Sequence, residues 1–235
     1  GSKIAYARVK GFQGNLGDVN AVMACVKHFA AYGAVAGGRE YNSVDLSDRM
    51  LWETYLPPFK AALDAGAASF MNSFNDINGI PATGNKYLQR DILKGKWKFK
   101  GFVVSDWGSI GEMIPHGYCK NSKEAAFSAI TAGSDMDMES NCYRNNLVLL
   151  VKDKKIDIKL IDDAVRRILT KKFELGLFKD PFKFCNAERE SKELNNPEHA
   201  KLAREVAAKS IVLLKNDNQI LPLSKETKTI AFIGP

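Results

Sequence analysis

The sequence predicts an α/β chain of parallel βα units: part of a (β/α)8 barrel, then a linker, then the start of a further domain. Three observations carry this. Short apolar runs alternate with segments whose apolar residues recur at helical spacing. Only four such runs precede the linker, about half of what a barrel of about 250 residues requires. Residues 179–198, KDPFKFCNAERESKELNNPE, are polar and hold two prolines, which reads as a linker. A doubly wound sheet is the structural rival. It calls for a glycine loop after a strand, whereas the spaced glycines of KGFQGNLGD follow a helix.

The elements follow in order. The opening KIAYARVKGF reads as helix; Gly1-Ser2 before it and TIAFIGP at the other end read as cut ends. VMACVKHF (22–29) is the first strand, with Cys25 expected as a small buried residue. Ser47 caps a helix carrying Met50, Leu51, Tyr55 and Leu56. Pro57-Pro58 is expected to interrupt it, with a second helix running to Gly66. AASFMNSF (67–74) is the second strand, Tyr87–Leu93 a helix, and GFVVSDW (101–107) the third strand. Ser122 is expected to cap KEAAFSAITA, which Glu124 favours at its start and Gly133 ends. SDMDM (134–138) is a short fourth strand. A long helix begins near Asp157, with Ile161, Ala164, Val165, Ile168, Leu169 and Phe173 on one face. Beyond the linker, HAKLAREVAAKS is helical, IVLLKND extended and TIAFIGP a strand.

Bulk properties exclude several function classes. With 45% hydrophobic and 26% charged residues, the chain can bury a sizeable core. Its formal charge of +7 is scattered, and the lysines and arginines of 152–172 are interleaved with acids. Neither nucleic acid nor a membrane is therefore expected as a partner. No apolar run approaches the roughly 18 residues of a membrane span. The four cysteines form no CxxC pair and the three histidines are widely spaced, so neither a metal nor a cofactor is expected. His116 reads as a loop residue, and Cys119, Cys142 and Cys185 read equally as free thiols or as holding one disulfide.

Chemistry gathers where the apolar runs end. The first ends in Lys27-His28, the second in Asn72-Ser73-Phe74-Asn75, the third in Ser105-Asp106-Trp107, the fourth in Asp135 and Asp137. In a βα barrel such ends converge on one face. Carboxylates and amides that accept hydroxyl hydrogens, with an indole that packs on a ring, suit a sugar. Structural readings stand beside this one. Asp106 could cap the following helix, Lys27 could be a solvated strand-end charge, His28 a core histidine and Trp107 plain core. Asp135 and Asp137 alternate along the run, and both read as structural.

The motifs KHFAAYG, GGREYNSVDLS, YLPPFKAALDAG, FMNSFNDINGIPAT, FKGFVVSDWGSI, AGSDMDM, IDDAVRRILTKKFELGLF and IVLLKND…LPL…IAFIGP occur in this order. Together they resemble the β-glucosidases of glycoside hydrolase family three across essentially the whole chain. The resemblance implies that 1–178 is the C-terminal half of the barrel and 199–235 the beginning of an α/β sandwich domain. It implies a retaining, exo-acting β-glycosidase, with Asp106 of SDW as the nucleophile. Lys27 and His28 would hold the terminal sugar's hydroxyls, and a cation there would keep Asp106 ionised. Trp107 would pack near that sugar, and Arg39 of GGREYN is assigned to the site as well. The substrate would be a β-linked oligosaccharide or glucoside, with β-xylosidase specificity as the alternative.

Two departures from the family pattern bear on function. Phe74 stands where many relatives carry tyrosine, so it contributes shape without a hydroxyl. Tyr32 of KHFAAYG stands where the hexosaminidase branch has a catalytic histidine, which argues against that activity. The acid/base glutamate is expected in the second domain, outside this chain, as are gripping residues from an upstream half barrel. Little activity is therefore expected of the chain alone, and a non-catalytic carbohydrate-binding piece is the rival reading. Self-association through the incomplete barrel is also expected, and export to the periplasm or beyond is implied by resemblance only.

Overall fold

A computed structural model describes residues 1–234 in two compact units, Gly1–Phe184 and Cys185 onward. In the first unit α1 (Ser2–Gln13) leads to β1 (Cys25–Phe29). Then α2 (Asp48–Met50), a π-helical turn (Leu51–Tyr55) and α3 (Leu56–Asp64) run on from one another. β2 (Ser69–Asn72) follows, then the short hairpin of β3 (Asp76–Ile77) and β4 (Ile80–Pro81). A π-helix (Tyr87–Lys96) precedes β5 (Phe102–Val104). Four helices complete the unit: α4 (Ser109–Glu112), α5 (Ser122–Ala132), α6 (Cys142–Lys152) and α7 (Ile158–Glu174).

β1, β2 and β5 form a parallel sheet in that order, with Cys25 opposite Ser69 and Phe70 opposite Val103. Parallel neighbours joined by helices are what the alternation predicts. Phe29, Phe70 and Val103 are fully buried, and the rings of Phe29 and Phe70 meet edge to face at 5.5 Å. A second apolar cluster joins Ile110 and Met113 to Ala125, Ala129 and Ile130 of α5 and to Cys142 and Leu150 of α6. It seats the segment that follows β5.

Several local expectations are corrected. The prolines do not break the helix after Ser47, whose hydroxyl caps it by accepting from Met50 N. The wider π turn at Leu51–Tyr55 lies just ahead of Pro57 and Pro58, so the chain stays helical through two residues that lack an N–H. Gly66 does follow, in the left-handed region at φ 98°. The cap of α5 is Asn121, not Ser122: its side chain accepts from Glu124 N at 3.0 Å. Gly133 ends α5 at φ 114°. The run 134–138 forms no regular strand and touches the sheet through one bridge, Val104 to Met136. Helix α6 escaped the sequence reading because its apolar residues cluster late, in LVLLV. Cys25 is exposed because β1 is the sheet edge among the described residues.

What binds 134–138 to β5 is polar. Asp135 accepts from Val103 N at 2.8 Å with one oxygen and from Lys94 Nζ at 2.6 Å with the other. Lys94 also donates to Gly133 O at 2.7 Å. Lys94 and Asp135 side chains are only 5% and 1% exposed. Burial pulls Lys94 down to about 8 from its ordinary 10.5, against the opposing pull of Asp135. Burial likewise raises Asp135, opposed by Lys94. Desolvation outweighs attraction at both partners, as expected for a buried pair. Asp137 accepts from Ser140 Oγ and Tyr143 N, so both aspartates of the run are structural.

In the second unit Asn186 caps α8 (Ala187–Leu194), which lies within the stretch read as linker, and Asn196 caps α9 (Pro197–Ser210). The strands expected in IVLLKND and TIAFIGP are not formed among the described residues; Pro235 lies outside them. A strand needs a partner for its backbone groups, and no described segment pairs with these. Phe232 and Ile233 are almost fully exposed.

Candidate active site

Asp106 sits immediately past the carboxyl end of β5, on a loop fastened at both ends. Ser105 Oγ accepts from Met138 N at 2.8 Å, and Gly108 N donates to Met138 O at 2.9 Å. Ser109 N then donates to Asp106 O at 3.1 Å, where α4 begins. The Asp106 side chain is not the cap of that helix, whose start takes no side-chain hydrogen bond. Asp106 Oδ1 accepts from Trp107 N at 2.7 Å. Oδ2 is buried, has no hydrogen-bond donor, and lies 3.2 Å from His28 Nε2. The residue is 8% exposed.

His28 is brought there by β1. Its neighbour Phe29 is fully buried against Phe59, Phe70 and Trp97, which anchors the strand end. The Lys27–His28 and Phe29–Ala30 peptides are cis. Partial burial, and then the Lys27 charge, lower the His28 pKa below its ordinary 6.5 against the pull of Asp106 and Glu40. At neutral pH the imidazole is therefore uncharged, and its contact with Asp106 is not a full ion pair. Lys27 is exposed and makes no ion pair among the described residues. The cation expected beside Asp106 is thus near enough to act on His28 but is not in contact with the carboxylate.

The end of β2 supplies amides. Asn72 donates to Ser134 Oγ at 2.7 Å, Ser73 to Ala30 O at 3.1 Å, and Asn75 to Asp76 O at 3.1 Å. All three are fully buried. Four buried side-chain atoms among the described residues have no hydrogen-bond partner: Asn72 Oδ1, Asn75 Oδ1, Asp106 Oδ2 and Glu112 Oε2. Every one is an acceptor, and buried acceptors call for donors. Hydroxyl groups of a sugar are such donors.

An aromatic wall completes the surroundings. The His28 ring meets Tyr32 at 5.5 Å, Tyr32 meets Phe74 at 6.2 Å, and Phe74 meets Tyr41 at 4.7 Å. Phe74 thus contributes a stacking face. Trp107 is 64% exposed, so it is not core and its indole is free to meet a ligand. Arg39 is exposed, and among the described residues its side chain meets neither Asp106 nor His28. His116 lies in the turn after α4 and lines a cavity with Tyr41 and Tyr118. Sequence reasoning missed Tyr41, which packs on Phe74 but sits in no periodic pattern. Among the described residues no three His, Cys, Asp or Glu side chains group as a metal site. No described helix is long and apolar enough to cross a membrane.

Comparison with known proteins points to one family. The model of the glycosyl hydrolase family 3 N terminal domain matches residues 1–171. A periplasmic beta-glucosidase of Salmonella typhimurium is 46% identical over 231 residues, 97% of this chain and 30% of that protein. A beta-xylosidase of Formosa agariphila is 39% identical over 248 residues, 100% of this chain and 34% of that protein. The crystal structure of a beta-glucosidase from Listeria innocua in complex with isofagomine superposes with a TM-score of 0.90 at 43% identity, covering 97% of this chain and 32% of that one. The chain therefore spans about a third of the length of these relatives. An ordered set of motifs, a parallel sheet with polar strand ends and these likenesses converge: the chain belongs to glycosyl hydrolase family 3, and residues 1–171 are N-terminal-domain sequence.

Proposed function

We propose that this chain is the nucleophile-bearing segment of a retaining, exo-acting β-glycosidase, most simply a β-glucosidase, in which Asp106 forms the glycosyl-enzyme. The observation that carries the reading is Asp106 Oδ2, a buried carboxylate oxygen with no hydrogen-bond donor, 3.2 Å from His28 Nε2. Oδ1 is held by Trp107 N, so the carboxylate is oriented while Oδ2 keeps its lone pairs for carbon. In the first step Oδ2 bonds to the anomeric carbon as the glycosidic C–O bond breaks, and the leaving oxygen takes a proton from a general acid. Water then attacks the same carbon, its proton returning to the conjugate base of that acid, as the bond to Asp106 Oδ2 breaks and the carboxylate is released. The general acid is assigned to a glutamate outside this chain, so the isolated chain forgoes acid/base help worth about 10²–10⁴ in rate. His28 and Lys27 orient the terminal sugar's hydroxyls, Trp107 and Phe74 offer faces, and Arg39 belongs to the same binding set.

The barrel reading belongs here as well. The parallel sheet and its flanking helices are read as the C-terminal half of a (β/α)8 barrel, followed by the start of a sandwich domain. The periplasmic name of the Salmonella relative favours export. The beta-xylosidase likeness keeps xylosides as the second substrate class. The test is trapping in the full-length polypeptide that contains this chain. A 2,4-dinitrophenyl 2-deoxy-2-fluoro-β-D-glucoside should label one residue, read by peptide mass mapping as Asp106, and Asp106→Asn should abolish it. Label on another residue, or none, would refute the assignment and leave a carbohydrate-binding piece.

A further inference from the structure

Resting on the glycosidase reading, we propose that Lys94 and Asp135 are positioning residues for the reaction: their buried ion pair fixes the register of 134–138 against β5, and 134–138 holds the loop that aims Asp106. Each acts through intervening backbone, not by contact with the nucleophile.

The relay begins at Lys94, in the last turn of the π-helix, whose Nζ donates to Asp135 Oδ1 at 2.6 Å and to Gly133 O at 2.7 Å. Asp135 Oδ2 accepts from Val103 N at 2.8 Å, and Asp135 N donates to Val103 O at 2.8 Å. One residue of the run thus engages both backbone groups of one residue of β5. A slip by one position would bring Ser134 or Met136 to Val103, and neither carries a carboxylate. Further along, Ser105 N donates to Met136 O at 2.9 Å. Met138 then closes the relay, its N–H on Ser105 Oγ at 2.8 Å and its carbonyl on Gly108 N at 2.9 Å. Those two bonds bracket Asp106 and Trp107. The run is also held from β2, where Asn72 donates to Ser134 Oγ at 2.7 Å. Asn72, Ser105 and Ser134 are fully buried, so a shift at Asp135 has no soft solvent layer to absorb it and passes on to the loop. Asp106 stands three residues past Val103, about 10 Å of extended chain.

Net stability does not account for the pair. Apolar residues of like shape commonly serve as well as an ion pair this deep. What the pair supplies is one permitted arrangement: a carboxylate with a donor on each oxygen, and an ammonium that joins the end of α5 to the run. Precision of that kind matters where a carboxylate must meet carbon, since about 1 Å of misplacement can cost about 10² in rate.

The test separates rate from folded fraction. The full-length polypeptide would be treated with 2,4-dinitrophenyl 2-deoxy-2-fluoro-β-D-glucoside, and the released dinitrophenolate would give the labelling rate constant at saturation, the half-saturating concentration and the label per chain. Lys94→Met/Asp135→Asn keeps an acceptor for Val103 N and buries no charge, so it should fold and label to about one per chain. Its saturating rate constant should nevertheless fall about tenfold to a hundredfold, with half-saturation within about threefold of wild type. Lys94→Arg keeps donors for both oxygens and should retain most of the rate. A merely structural role predicts the reverse for the double variant: a smaller labelled fraction with an unchanged rate constant. That result, or a rate constant equal to wild type, would overturn the proposal. If the double variant does not fold, Ser105→Ala breaks the same relay at Met138 and should show the same split; an unchanged rate constant there would overturn it equally. Failure of the wild type to label at Asp106 would instead sink the glycosidase reading on which the proposal rests.

Discussion

Removing the Lys94 ammonium should cost the first unit about 3–5 kcal/mol of stability at pH 7–8, the loss typical of a broken buried ion pair. Lys94→Met leaves Asp135 1% exposed with Val103 N as its remaining donor. Two effects oppose each other. The lysine's own burial is unfavourable: a fall from 10.5 to about 8 corresponds to roughly 3 kcal/mol carried below pH 8 and relieved between pH 8 and 10.5. Yet that penalty already includes the partial return from Asp135, whereas the variant leaves the aspartate's desolvation without its chief counter-charge. The second effect wins, and on a domain of this size it amounts to about 6–20 °C in Tm. The pH dependence supplies a signature. Asp135 has a raised folded pKa, so its contribution is kept at low pH and lost as pH rises through the folded value. Without Lys94 that value climbs further, so the deficit relative to wild type should shrink from pH 8 toward pH 5. Lys94→Met/Asp135→Asn, which buries no charge and keeps an acceptor for Val103 N, should recover to within about 1–2 kcal/mol. Urea titrations followed by circular dichroism across that range measure all three proteins. A single-variant loss under about 1 kcal/mol, or one independent of pH, would refute the reasoning.

Gly101→Ala should destabilise by about 1–3 kcal/mol, read as a lower urea midpoint, because the new Cβ would lie 2.0 Å from Ala68 O and 2.5 Å from the Phe99 ring. Asn121→Ala should cost about 1 kcal/mol by removing the α5 cap, read as a lower urea midpoint, while Ser122→Ala should cost less. The isolated chain should self-associate through the open edge of β1 and the apolar groove of Val9, Phe12, Val22 and Met23 beside it; light scattering showing a clean monomer would count against this.

How much of the site was legible depended on whether the signal was local. Asp106, His28 and Trp107 stand at the ends of apolar runs, where strand periodicity stops, so their position in the chain announced them. Tyr41 carries no such mark and enters only because the chain folds back on Phe74. Arg39, assigned by motif, is exposed and apart from the carboxylate in this structure. The fourth run shows the limit from the other side. Its apolar–polar alternation reads as strand, yet Asp135 spends its oxygens on Lys94 and Val103, and the run makes a single bridge instead of a ladder.

Local chemistry in the chain determined the alternation of strands and helices, the cap at Ser47, the ends at Gly66 and Gly133, and the placing of polar residues at strand ends. These depend on nearest neighbours along the backbone, where periodicity, capping and left-handed glycines act. Tertiary structure alone decided that Asp106 leaves its helix uncapped and keeps one oxygen free, that His28 reaches it, and that the prolines ride on a π turn. Those outcomes depend on which distant groups are brought within a hydrogen bond's length and shut away from water. No pattern of residues along one segment carries that information.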